Sequence, residues 1–423
     1  MISIFTLFLI VPLCIYATEN QNHFASKQSV SSILKDKTLE QVPEKIQELN
    51  RQPLAGLKSL SWFCNTYSDC VQQFLNLKST PEFSANKMQF EEVPIVGTDY
   101  HFQVMWIPAP GTKTSRTLVI QSGLHGIEGF TGSALQMAFL NDYLKSSQTK
   151  VVSRPNILLI HGLNAWGFAN SRRTNQNNID LNRNFLQHGT SLNNEGYQKM
   201  NSFLNPTIPY QDSKLGFIAF LWHAGKLIIS QGLPTLRQSV LQGQYEYPKG
   251  IFYGGQAPQM IDTVEPIYKK YLDSQKEILF IDLHTGYGTR GQLHLLFDAV
   301  AEGNVEVFQK IFQGQKLELT TDKQFYQVQG GYLAYLRQRF LQKNIIFNGI
   351  TFEFGTLNSN TTMGSLKSLH NMIIENQAFH QGGDLAIARQ YFNEHFYPSD
   401  PSWRQQVMDQ GMSSLRKALE SMQ

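Results

Sequence analysis

His125-Gly126-Ile127-Glu128 sets an imidazole and a carboxylate three residues apart, shortly after the apolar run Thr117-Leu118-Val119-Ile120. Zn²⁺ accepts imidazole nitrogen and carboxylate oxygen, and a catalytic site needs three protein ligands plus one open position. Far downstream, Phe280-Ile281-Asp282-Leu283-His284 offers a third ligand in His284, again after an apolar run. Glu353 lies inside the apolar run Ile350–Phe354. A carboxylate there is costly unless it is satisfied by hydrogen bonds or functional. Beside a metal-bound water it could serve as general base. The loop from Ser171 to Phe185 is dense in guanidinium and amide groups, including Arg172, Arg173, Asn182 and Arg183. Either it is a solvated polar loop, or its arginines grip an anionic group on a substrate bidentately.

Positioning these groups requires a scaffold of strands and helices. Residues 96–120 read as strands, with Phe102, Val104 and Trp106 alternating before Leu118-Val119-Ile120. Further strands are expected at 156–160, 277–283, 293–297 and 350–354. Helical spacing covers 39–77, with Pro53 as an interruption, and then 129–142, 210–245, 261–274, 305–312, 332–341, 366–395 and 403–422. Apolar strands alternating with helices predict an α/β three-layer sandwich, with a central mixed, largely parallel sheet flanked by helices. Ligands in such folds bind beyond the carboxyl ends of the strands. His125, His284 and Glu353 all fall at or near such ends. Asp282, two residues before His284, shares its face of the strand and either orients that ligand or is structural. Gly123, Gly126 and Gly129 allow the tight backbone of a metal loop. His161 and His294 read as core residues and stay outside the ligand set.

The net charge is +3 over 423 residues, and there is no long run of Lys or Arg. Nucleic-acid and membrane-surface binding therefore find no support in charge. Residues 1–17 read as a signal peptide, because Ile2–Tyr16 is almost wholly apolar and Ala17 could precede a cleavage point; an uncleaved anchor is the alternative. Residues 18–60 form a polar and helical segment, and 61–423 the remaining domain. No stable membrane insertion is expected after signal removal. Cys64 and Cys70, six apart, are either a disulfide or two buried thiols. Asn360-Thr361-Thr362 is a glycosylation pattern. The sequence lacks a Gly-x-Ser-x-Gly elbow, a phosphate-binding Gly-x-x-x-x-Gly-Lys and His-Glu-x-x-His.

Taken together, the segments resemble the zinc carboxypeptidase superfamily, which includes carboxypeptidase A and the aspartoacylase-like deacylases. The matching pieces run in that family's order: His125-x-x-Glu128, Asp180-Leu-Asn182-Arg183-Asn-Phe185, His284, Glu353. One largely uncharacterised branch is matched in particular. The segments are Ser122-Gly-Leu-His-Gly-Ile-Glu-Gly129, His161-Gly-Leu-Asn164, Gly243-Gln-Tyr245 with Gly254-Gly255, Asp282-Leu-His-Thr-Gly286 and Glu353-Phe-Gly-Thr356. The resemblance spans roughly residues 60 to 400.

It implies one Zn²⁺ per chain held by His125, Glu128 and His284, with Glu353 moving the proton of the bound water to the leaving amine. It further implies Asn182 and Arg183 at the substrate carboxylate. Either Arg173 or Arg172 polarises the scissile carbonyl, with Arg173 preferred. Tyr332 is the candidate for the family's mobile tyrosine. Residues 186–276 do not map onto carboxypeptidase A. The expected protein is a secreted or endolysosomal metallopeptidase-like hydrolase, with a carboxypeptidase acting on peptides as first choice. A deacylase of small N-acyl amino acids and an inactive peptide-binding relative are the alternatives. An open cleft would favour peptides, and a capped one small molecules.

Overall fold

Eight strands form one sheet in the order β1-β2-β4-β3-β5-β8-β6-β7. They are β1 Gln89–Pro94, β2 His101–Ile107, β3 Arg116–Ser122, β4 Asn156–His161, β5 Glu277–Gly286, β6 Leu293–Phe297, β7 Leu317–Leu319 and β8 Ile346–Gly355. The computed structural model describes residues 58–110, 114–147, 154–186, 192–207, 214–297, 305–319 and 328–423. The expected signal peptide, and the segment 18–60 up to residue 57, lie outside the described residues. Ser59–Gln423 makes up the unit that carries the sheet.

The centre of the sheet, β4-β3-β5-β8, is parallel throughout. β2 joins β4, and β6 joins β8, in antiparallel fashion. The mixed, largely parallel sheet predicted from the sequence is therefore present. Alternating side chains of the central strands feed two separate cores. Leu118 and Ile120 of β3, Ile157 and Leu159 of β4, and Leu279 and Ile281 of β5 enter one core, with helices Gly129–Ser147 and Pro401–Ser421. Val119, Leu158, Ile160, Ile278 and Phe280 enter the other, with helices Ile261–Tyr271 and Tyr332–Leu341. A strand buried on both faces needs apolar residues at consecutive positions, which explains the unbroken runs in the sequence. The period of two then sorts them between the layers.

Two strands escaped the sequence reading. β1 is an edge strand with exposed or half-buried positions and two adjacent glutamates, Glu91 and Glu92, so it lacks an apolar face to read. β7 is three residues long. The helical stretch expected over 210–245 is two helices, Lys214–Gln231 and Leu233–Leu241. They are separated by Gly232 at φ +80°, with Pro234 in the first turn of the second. Left-handed backbone followed by proline ends one helix and starts another. Cys64 and Cys70 are joined as a disulfide across the start of helix Tyr67–Asn76. His161 is a satisfied core residue, bonded to Gln103 Oε1 and Ser133 Oγ at 2.8 Å and stacked on Phe74. His294 bridges the Thr289 N–H and Glu318, joining β6 to β7.

Candidate active site

Strand order reverses around β3: the chain passes from β3 to β4 on one side, then crosses to β5 on the other. Such a switch point leaves a crevice beyond the carboxyl ends of the strands. His125 and Glu128 sit there, in the loop and short 3₁₀ turn that follow β3. Backbone bonds from the Gly126 and Ile127 N–H groups to the Arg173 and Arg172 carbonyls pin that turn to the arginine loop. A Cβ on Gly126 would lie 2.1 Å from the Gly167 carbonyl carbon, so only glycine admits this approach. His284 lies near the end of β5, in register with Glu353 on β8.

The three expected ligands converge. His125 Nδ1 lies 2.9 Å from Glu128 Oε1, His284 Nδ1 lies 2.8 Å from Glu128 Oε2, and the two Nδ1 atoms are 3.2 Å apart. Among the described residues, these three form the group of His, Cys, Asp or Glu side chains whose ligand atoms all fall within 4.8 Å of one another. Zinc bonds of about 2.0–2.1 Å place neighbouring atoms of a tetrahedron roughly 3.3 Å apart. Two imidazole lone pairs cannot face each other at 3.2 Å without a proton or a cation between them. The donor set therefore fits a zinc ion.

The far nitrogen of each imidazole is held by a carboxylate. His125 Nε2 meets Asp180 Oδ1 at 3.1 Å, and His284 Nε2 meets Asp282 Oδ2 at 2.8 Å. Such partners fix the tautomer and aim Nδ1 at the metal position. Asp282 was read as a candidate for this task. Asp180 was seen only as part of a motif, although its place in that motif was the available signal.

Charge on these buried groups is mutually supported. Burial opposes ionisation of Glu128, but His125 and His284 outweigh it and hold the carboxyl well below its usual range. Burial likewise opposes a proton on His284, yet Asp282 and Glu128 hold its pKa well above the usual imidazole value. Asp180 is depressed against its burial by Arg173, His125 and Arg183. Glu353 goes the other way: burial first, then the Glu128 charge, push it up to about 8. Its Oε1 accepts the Tyr287 N–H at 2.8 Å.

One cavity of about 510 Å³ is lined by His125, Glu128, His284, Glu353, Arg173, Asn182, Arg183 and Tyr332. Arg173 donates to Glu128 Oε1 and Asp180 Oδ2, at 3.1 and 3.2 Å. Arg172 is not brought to the cavity. Its guanidinium donates to Asn178 and Asn376, pairs with Glu375 at 3.0 Å and stacks on Phe379. Of the two arginines, Arg173 is the one that lines the cavity.

Arg183 gives three N–H bonds to the Leu241 and Asn182 carbonyls. Asn182 accepts the Tyr332 N–H. Tyr332 is fully buried, and its hydroxyl pairs with that of Tyr268. It shapes the wall and does not present a free hydroxyl. The remaining amides of the loop are structural, since Asn178 and Asn184 donate to carbonyls of 248–257. His395 was not singled out from the sequence. It lines the cavity beside Ser368 Oγ at 2.9 Å, and burial lowers it to about 3.

Fold and donor set together give what the sequence motifs lead one to expect: an α/β sheet with a zinc-competent ligand set beyond the carboxyl ends of its strands. The chain belongs to the family described as "Protein of unknown function (DUF2817)", whose model matches residues 63–410. No curated protein matches the chain. Among solved structures it is similar to thrombin-activatable fibrinolysis inhibitor, at 12% identity over 79% of this chain and 81% of that one, with a TM-score of 0.46. Carboxypeptidase A from Helicoverpa armigera is 12% identical over 87% and 81%, with a TM-score of 0.45. Murein-tripeptide amidase MpaA from Escherichia coli O157 is 13% identical over 68% and 91%, with a TM-score of 0.33.

Proposed function

We propose that the protein is a zinc-dependent hydrolase that cleaves an amide bond next to a free carboxylate. The observation that carries this reading is the convergence of His125, Glu128 and His284 on one point, with Glu353 lining the same cavity. Zinc bound there supplies Lewis acidity and a water ionised near neutral pH. Glu353 takes a proton and returns it to the leaving nitrogen. Arg173 turns a fixed positive charge towards the scissile carbonyl, where oxyanion charge develops. Arg183 keeps two of its five N–H groups beyond those bound to carbonyls, and with Asn182 it holds the substrate carboxylate. Overall, water oxygen bonds to the acyl carbon, the carbon–nitrogen bond breaks, and the amine leaves with the transferred proton.

Of the two substrate classes set out from the sequence, the enclosing wall around the triad supports N-acyl amino acids. The three ligand side chains are 1–4% exposed, and six α-helices contribute to the cavity wall. The Cys64–Cys70 disulfide and the exposed Asn360 support a secreted or endolysosomal setting. Among the described residues no helix is long and apolar enough to cross a membrane.

The test is metal analysis of the purified full chain, followed by chelator-sensitive release of amino acids from separate pools of N-acetyl amino acids and peptides. About one zinc per chain with release from the acylated pool is expected. Release from peptides alone would restore the carboxypeptidase reading. Zinc-free protein without release from either pool would overturn the hydrolase.

A further inference from the structure

The cavity has a second half that amide hydrolysis does not by itself require. Its polar end is the ligand triad with Arg173, Asn182 and Arg183. Away from these, the wall is largely hydrocarbon. Phe203 comes from helix Glu195–Leu204, Leu227 and Ile228 from Lys214–Gln231, and Leu236 from Leu233–Leu241. Leu369 and Met372 come from Thr362–Gln381. Two stretches of chain far apart in sequence thus turn apolar helix faces towards one space. Helices normally close such faces against each other at near-crystalline density, and an apolar void lowers stability in proportion to its volume. A cavity of about 510 Å³ is within the range that encloses a sizeable ligand.

The chemistry of the wall limits the occupant. Every residue of a peptide carries a backbone donor and acceptor that must be paired when buried. Leucine, isoleucine, phenylalanine and methionine side chains supply no such partner. Two pairs of polar groups along this part of the wall meet one another: Arg237 Nη2 donates to Ser365 Oγ at 3.1 Å, and Ser368 Oγ meets His395 Nε2, while His395 Nδ1 has no hydrogen-bond partner. A hydrocarbon chain brings no polar group of its own that this wall would have to pair.

We propose that the substrate is an N-acyl amino acid whose acyl group is a long hydrocarbon chain. Its carboxylate lies at Asn182 and Arg183, its amide at the ligand triad and Glu353, and its chain along the apolar half. This rests on the hydrolase reading above. Water adds its oxygen to the acyl carbon, the bond to nitrogen breaks, and a proton passes to that nitrogen. The products are a fatty carboxylate and a free amino acid.

The test uses the zinc-loaded full chain and N-acetyl, N-octanoyl and N-palmitoyl derivatives of a mixed amino-acid pool, below their micelle concentrations. kcat/KM should rise at least about 100-fold from acetyl to octanoyl, because each buried methylene favours binding. A flat or falling series overturns the proposal.

Two variants at the apolar wall, Ala224→Phe and Leu236→Trp, guard against one failing to fold. Each should cut the octanoyl-to-acetyl ratio about tenfold or more. Binding of the fluorescent probe dansyl-undecanoate gives a readout apart from turnover. Suppose no derivative is hydrolysed, yet the probe binds wild type and is weakened in both variants. The chain-binding cavity then stands and the hydrolase reading falls. Acetyl hydrolysis with a flat series and no probe binding sinks the cavity proposal alone. Neither hydrolysis nor binding removes both.

Discussion

Two buried ionic networks lie side by side and begin at neighbouring residues of the chain. The Arg173 network joins Glu128, Asp180, His125, His284 and Asp282. The Arg172 network joins Glu375, Asn178, Asn376 and Phe379. In composition they are similar: a guanidinium and carboxylates, largely buried. They differ in where their atoms point. The first network sends two imidazole nitrogens and two carboxylate oxygens to a common point at the edge of a cavity. The second closes on itself, with the cation stacked on a ring at 3.8 Å and no place among the cavity-lining residues. Burial and charge alone therefore do not mark a reactive site. Convergence on an accessible point does.

The sharpest way to break this contrast is to neutralise Glu353. Glu353→Gln should retain about one zinc per chain, because the ligands are untouched. Turnover should drop by about 10³–10⁴-fold, the loss expected when the general base is removed. Metal analysis and amino-acid release on the same preparation check it. Full activity in this variant would end the assignment of a reactive centre.

The second network should answer in stability rather than in rate. Arg172→Ala leaves Glu375 buried without its cation, which costs about 3–5 kcal/mol. Activity per folded molecule should stay close to wild type. Arg173→Ala should do the reverse, with kcat falling about 100-fold as an oxyanion partner is lost. Its carboxylate partners keep other hydrogen bonds, because Glu128 and Asp180 both remain bonded to His125. Denaturant unfolding and steady-state kinetics on both variants decide the matter. Identical behaviour in the two would erase the distinction.

The sequence carried the first network more fully than the second. The cluster of His125, Glu128 and His284 was legible because polar residues at the ends of apolar strands, in a fixed spacing and order, stand out from the runs before them. Glu353 was legible because a lone carboxylate interrupts a buried strand. The split between Arg172 and Arg173 was not readable, since adjacent loop residues give no periodicity to say which side faces the metal. Only the backbone bonds from Gly126 and Ile127 to this pair fix it. Nor could the apolar half of the cavity be read. Its helices carry ordinary amphipathic spacing, and an apolar face that lines a void has the same pattern as one that packs shut. The missed β1 and β7 follow the same logic: an exposed edge and a three-residue strand offer no burial signal.

A smaller effect sharpens the role of the outer carboxylates. Asp282→Ala frees His284 Nε2 from its partner at 2.8 Å. Zinc affinity should weaken about 10- to 100-fold, the usual consequence of losing a group that orients a metal-bound histidine. Competition with a chromogenic chelator measures it. Unchanged affinity would make Asp282 a purely structural residue of β5.

The smallest expected effect concerns the proton on Glu353 in the metal-free protein. Its pKa in the fold is about 8, against an ordinary value of 4.5. Between those values the native state binds the proton and the unfolded chain does not. The contribution of Glu353 to stability is therefore present at low pH and is lost as pH rises from about 4.5 through about 8. Glu128 has the opposite sign, since its depressed pKa withdraws stability only as pH falls below the ordinary carboxylate range. The two windows do not overlap. Chelator-treated wild type should lose stability relative to Glu353→Gln between pH 5 and pH 8, with unfolding midpoints as the measurement. The difference should shrink when zinc is restored, because a nearby cation favours the ionised carboxylate. A gap that stays constant across this range would mean that Glu353 feels neither its burial nor the neighbouring Glu128 charge.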